Sequence, residues 1–123
     1  MNEKVLFVDD EPNVLQSIRR GLRKQFDVHT AEGGDAAVEM LRNGEQFAVI
    51  VSDMRMPGMN GVELVSKATT LCPDTGRMML TGTADQQTAV DAVNHGDIFR
   101  FLNKPCENTE LGAAVKDAMR QHA

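Results

Sequence analysis

The stretch Val5-Leu6-Phe7-Val8-Asp9-Asp10-Glu11-Pro12 joins an unbroken apolar run to an acidic pair and a proline. Consecutive apolar residues without alternation read as a central parallel strand covered on both faces. Pro12 suits the first turn of a helix, where its missing N–H has no partner to lose. The chain therefore passes from strand to helix at two carboxylates. The same grammar recurs further on. Ala48-Val49-Ile50-Val51-Ser52 runs into Asp53, Met78-Met79-Leu80 into Thr81-Gly82, and Phe99-Arg100-Phe101-Leu102-Asn103 into Lys104-Pro105.

Helical patterns fill the intervals. Val14, Leu15, Ile18 and Leu22 keep helical spacing within residues 13–25, with Arg19, Arg20, Arg23 and Lys24 on other faces. Residues 26–30 are a short strand, with Val28 and Thr30 in alternation. Asp35 is the expected N-cap of a second helix, which Asn43-Gly44 ends. After Asp53 the Pro and Gly content of residues 54–61 marks a loop. A helix carrying Val62, Leu64, Val65 and Ala68 follows, and Pro73 stops it. Residues 77–80 are a strand, 86–95 a helix closed by Gly96, and 98–103 a strand. Residues 107–121 form a last helix with Leu111, Ala114, Val115, Ala118 and Met119 inward. Strict alternation of strand and helix implies a parallel sheet with helices on both faces. Right-handed crossovers then collect the C-terminal strand ends at one edge. Asp9, Asp10, Asp53, Thr81 and Lys104 should meet there, where such sheets bind ligands.

The 123 residues suit one domain with a real core. A net charge of −5 and the lack of a basic stripe argue against direct nucleic-acid binding and against an anionic membrane surface. No apolar stretch approaches a membrane span, and the N-terminus lacks the basic flank and long apolar stretch of a secretory signal. Cys72 and Cys106 have no metal-type spacing and read as reduced thiols, which fits a cytoplasmic location.

Three carboxylates at one spot repel one another, and a cation relieves the repulsion. Hard oxygen donors favour Mg²⁺, with Mn²⁺ a possible substitute, over softer metals. Too few protein ligands are present for a closed cage, and Mg²⁺ accepts this because it keeps waters and takes phosphate oxygens. A hydroxyl, an ammonium and a divalent cation around one carboxylate are what a transferred phosphoryl group requires. Asp53 would be the nucleophile, giving an acyl phosphate. His29, His95 and His122 lie away from this edge, and a carboxylate, ionised at neutral pH, needs no general base. The Lys104-Pro105 bond is a candidate cis peptide that would aim the lysine inward.

These four motifs, in this order and at these separations, resemble the receiver domain of bacterial two-component response regulators. The resemblance covers nearly the whole chain, taken as one receiver domain over residues 1–123. It implies a CheY-like, flavodoxin-like (βα)5 fold with strand order 2-1-3-4-5. It implies Asp53 as phosphoacceptor from the phosphohistidine of a sensor histidine kinase or phosphotransfer protein. Asp10, Asp53 and the backbone carbonyl of Arg55 would bind Mg²⁺ directly, with Asp9 acting mainly through water. Thr81 and Lys104 would hold the phosphoryl oxygens. Phosphorylation would pull the Thr81 hydroxyl inward, with Phe101 following where many relatives carry Tyr. The surface of helix 86–95, the last strand and the last helix would then bind an output domain or downstream effector, or a second copy. The protein would be a phosphoacceptor switch, not a turnover enzyme. Arg55 and Thr83 flank the phosphoryl site, and Arg55 could cover the acyl phosphate and slow its hydrolysis. The segment around Thr83-Ala84-Asp85 and Lys104-Pro105 also resembles receivers fused to HD-type cyclic-dinucleotide phosphodiesterases or to hybrid kinases. Those often carry Trp where Cys106 stands.

Three other readings compete. A haloacid-dehalogenase-type phosphatase also uses a strand-end Asp with Mg²⁺, but it needs a second Asp at position 55, which is Arg. A flavodoxin needs a phosphate-cradling first loop, and Asp9-Asp10-Glu11-Pro12 repels phosphate unless a metal intervenes. A receiver used only as a phosphorylation-independent docking module has no need of the acids and Lys104.

Overall fold

The computed structural model describes residues 3–82, 100–103 and 107–121. Five parallel strands form one sheet in the order β2-β1-β3-β4-β5. They are β1 Lys4–Asp9, β2 Asp27–Glu32, β3 Val49–Asp53, β4 Gly76–Thr81 and β5 Arg100–Asn103. Four helices are described: α1 Pro12–Leu22, α2 Gly34–Arg42, α3 Gly61–Leu71 and a C-terminal α4, Asn108–Gln121. The expected fold class and strand order are the ones observed. The expected helix 86–95, residues 98 and 99 of the last strand, Thr83 and the segment 104–106 lie outside the described residues.

Alternation along the central strands divides the core. Val5 and Phe7 of β1, Val49 and Val51 of β3, Met78 and Leu80 of β4, and Leu102 of β5 pack under α1 and α4. Leu6, Val8 and Ile50 pack under α2 and α3. Every residue of β3 and β4 is buried, which is why these strands read as continuous apolar runs rather than alternating ones. The edge strands β2 and β5 keep exposed residues at their ends. Helix α1 buries Leu15, Ile18 and Leu22. At roughly 1.5–3 kcal/mol for each fully buried aliphatic side chain, this stripe outweighs any helix propensity in holding α1 on the sheet.

Several boundaries differ from the sequence reading, and for three of them the contacts give the reason. Helix α1 ends at Leu22 rather than Gln25, because the amides of Gln25 and Phe26 both donate to the Leu22 carbonyl in a closing turn. Phe26 belongs to that turn and drives its ring into the core, so β2 starts at Asp27 and runs on to Glu32 in register with Asp9. Asp35 is not the cap of α2. Gly33 holds that place with φ 98°, a conformation costly for a side-chain-bearing residue, and Asp35 lies in the first helical turn. There its carboxylate faces the positive end of the helix dipole.

At the opposite end of the strands, the hydroxyl of Thr75 donates to the Phe47 carbonyl at 2.8 Å, and the Gly76 amide donates to the Ala48 carbonyl at 2.8 Å. Both hold the start of β4 against the start of β3. Thr75 is 5% exposed, so Thr75→Val leaves the Phe47 carbonyl short of a partner. The expected loss is about 1–3 kcal/mol of unfolding free energy by urea titration.

Candidate functional site

Strand register assembles the site. Val8 pairs with Ser52, so the next residues, Asp9 and Asp53, end adjacent strands side by side. Both are buried, at 3% and 7% exposure, while Asp10 is exposed one residue beyond β1. Each of Asp9, Asp10 and Asp53 offers a carboxylate oxygen, and the three oxygens lie within 4.8 Å of one another. Two unit charges at such a separation repel by roughly 3 kcal/mol at an effective dielectric near 20. The cluster is all oxygen and carries an excess of negative charge, so the donor chemistry fits a hard divalent cation.

Local bonds set the carboxylates. The Glu11 amide donates to Oδ1 of Asp9 at 3.0 Å, in the turn that starts α1. The Met54 amide donates to the Leu80 carbonyl at 3.0 Å, which carries the β3–β4 ladder one residue past Asp53. The buried hydroxyl of Ser52 donates to the Asp53 carbonyl at 3.0 Å. After Met54 the chain makes a loop through Arg55, which is exposed, and then returns. The Gly61 amide closes that loop on the Met54 carbonyl at 2.8 Å.

Two contributors were hidden inside what the sequence reading treated as a plain loop. Oδ1 of Asn60 accepts the Glu63 amide at 2.9 Å and caps α3. The spelling Asn60-Gly61-Val62-Glu63 carries that signal, since a short polar residue three before Glu is how a helix start is written. Gly61 is required by approach rather than by dihedral angle. A Cβ there would collide with the Asp53 carbonyl and lie 3.0 Å from Cα of Met54. Nothing in the sequence pattern reveals that contact.

Thr81 ends β4 beside these acids and is wholly buried, and its Oγ1 has no hydrogen-bond partner among the described residues. Its register partner is Asn103, the last residue of β5. Lys104 and Pro105, the remaining expected site positions, lie outside the described residues. Phe101 is half-buried, pairs in register with Met79, and packs on the cluster of Met54, Val65 and Met79. Met54 directly follows Asp53, so one cluster touches both the acid-bearing loop and the aromatic position.

Residues 5–116 match the family model of the response regulator receiver domain, and the chain belongs to that family. It is 32% identical over 116 residues to the hydrogenase transcriptional regulatory protein HoxA of Bradyrhizobium diazoefficiens, covering 94% of this chain and 24% of HoxA. The chain spans about a quarter of the length of HoxA and of the transcriptional regulatory protein GlrR of Escherichia coli. Among solved structures, a chain described as adenylate cyclase from Rhodopirellula baltica superposes with a TM-score of 0.97 at 43% identity, over 99% of this chain and 90% of that one. A response regulator receiver domain protein from Clostridium thermocellum gives 0.90 at 28%, over 96% and 94%. No described helix is long and apolar enough to cross a membrane.

The close approach at Gly61 has a measurable consequence. Gly61→Ala should force the loop off the end of β3 and lower stability by about 1–3 kcal/mol in urea unfolding, a typical cost of overpacking. Amide shifts in the NMR spectrum should move at Asp53 and Met54, and a stability within a few tenths of wild type would refute the contact.

Proposed function

We propose that the chain, over residues 1–123, is a phosphorylation-controlled switch in phosphorelay signalling. Asp53 receives a phosphoryl group from the phosphohistidine of a sensor histidine kinase or a phosphotransfer protein. The observation that supports this reading best is the cluster of Asp9, Asp10 and Asp53 at neighbouring strand ends, with their oxygens within 4.8 Å. The buried Thr81 hydroxyl, with no hydrogen-bond partner among the described residues, stands at the end of the next strand.

In this reading Asp53 supplies the attacking oxygen, and the P–N bond of the phosphohistidine breaks as the new P–O bond forms. Asp10, Asp53 and the Arg55 carbonyl, with Asp9 behind, would hold Mg²⁺ or Mn²⁺, which would supply neutralisation of the charge on the transferred group. Asp9 is positioned for its part by the Glu11 amide. Thr81 donates its hydroxyl to a phosphoryl oxygen and so gains the partner it lacks, and Lys104 pairs with another oxygen. Inward movement of Thr81 frees space on the face where Phe101 packs. The readout surface comprises residues 86–95, β5 and α4, and it binds an output domain, an effector or a second copy. The chain modifies itself and reverses slowly, so it acts as a switch rather than a turnover enzyme, in the cytoplasm and without touching DNA directly.

Acetyl phosphate with Mg²⁺ should add one phosphoryl group, read by intact mass. Asp53→Asn should abolish the adduct, and EDTA should suppress it in the wild-type chain. Absence of any adduct in the wild type would move the reading to a phosphorylation-independent docking module. In this reading Arg55 covers the acyl phosphate, so Arg55→Asn should shorten its lifetime in a phosphate-release time course.

A further inference from the structure

A groove of about 610 Å³ opens at the N-terminal edge of the sheet, at the opposite end of the strands from Asp9 and Asp53. Leu41, Phe47, Leu71 and Met119 supply its apolar wall. Leu71 is 42% exposed and is the exposed large hydrophobic side chain among the described residues. Glu3, Glu45 and Asp74 supply three carboxylates, and no lysine or arginine is among the described lining residues. Lys4 Nζ lies 3.7 Å from Glu45, which offsets one of the three charges and leaves the other two to a visitor.

The floor is already built. Thr75 and Gly76 are bonded to the backbone at Phe47 and Ala48, and the Arg77 guanidinium donates to the carbonyls of Thr75 at 3.0 Å and Pro73 at 3.3 Å. Phe47 is held edge-on by His29, with ring centres 5.5 Å apart, and has the Lys4 ammonium 5.1 Å from its centre. A rigid apolar floor lowers the ordering cost of binding.

We propose that this groove docks a helix of a partner protein that is apolar on one face and carries lysine or arginine beside that face. The other occupants fit worse. A small organic cation satisfies the carboxylates and leaves Leu71 in water. An added strand needs a ladder edge, and the groove lies across strand ends. A second copy in a two-fold contact brings acidic rim against acidic rim. A basic amphipathic helix covers Leu71 and answers Glu3 and Asp74 together. The site is remote from the acidic edge, so docking and phosphorylation at Asp53 are compatible.

The test uses the full chain, nitrogen-15 labelled and saturated with Mg²⁺, titrated with two synthetic amphipathic helical peptides of the same pattern, one of Leu and Lys and one of Leu and Glu. The Leu/Lys peptide should shift the amides of Gly44, Phe47, Cys72 and Thr75, and the Leu/Glu peptide should bind at least tenfold more weakly. Two exposed-residue variants, Leu71→Ser and Glu3→Lys with Asp74→Lys, should each weaken the Leu/Lys peptide at least tenfold. Both should keep the wild-type yield of acetyl-phosphate adduct, so failure of the groove is separable from failure of the phosphoacceptor reading. No binding, equal binding of the two peptides, shifts centred on Asp9 and Asp53, or unchanged affinity in both variants would overturn the proposal.

Discussion

Parallel pairing between β1 and β3 brings the chemistry of this protein together. The ladder runs from Val5 opposite Val49 to Val8 opposite Ser52, so the residues that follow, Asp9 and Asp53, share one edge. Both strands are apolar along their length, and alternate side chains fill two separate cores. A slip of one residue would turn each strand inside out and carry its carboxylate to the other face. The two hydrophobic layers therefore hold the register, and the register holds the acids. The β3–β4 ladder extends the same logic to Thr81, since Asp53 pairs with Leu80 and Thr81 comes next.

That assembly works against folding locally. Three carboxylates within 4.8 Å, two of them buried, oppose one another in a partly desolvated edge. The surrounding core absorbs the cost, with roughly 1.5–3 kcal/mol for each fully buried aliphatic side chain set against about 3 kcal/mol for one charge pair. A divalent cation held by these oxygens would relieve the repulsion and favour the folded edge.

The path from the acids to the far surface is short and apolar. Met54 leaves the end of β3 and enters the cluster with Val65 and Met79 on which Phe101 packs. Thioether side chains are unbranched and adapt to a changed neighbour with little strain. An aromatic ring seated on them can shift without opening a cavity. At the other end of the strands, Thr75, Gly76 and Arg77 pin the floor of the groove by bonds to backbone carbonyls.

Much of this was legible along the chain. Continuous apolar runs ending in Asp9, Asp53 and Thr81 specify a parallel sheet, because only strands covered on both faces can afford no polar alternation. Chain order and handedness then bring the strand ends to one edge. Other features depend on contacts between distant segments. Phe26 reads as the start of a strand, yet its amide completes the turn after α1 and its ring fills the core, so β2 begins one residue later. Asp35 has the chemistry of a cap, yet the backbone at Gly33 takes that place with a positive φ. The collision that keeps position 61 a glycine involves the Asp53 carbonyl, eight residues back along the chain. Residue type and period determined the elements, the sheet and the set of acids. Packing alone decided the burial of each carboxylate, the closeness of the loop to Asp53 and the acidic groove, because these depend on distances between segments that no local pattern records.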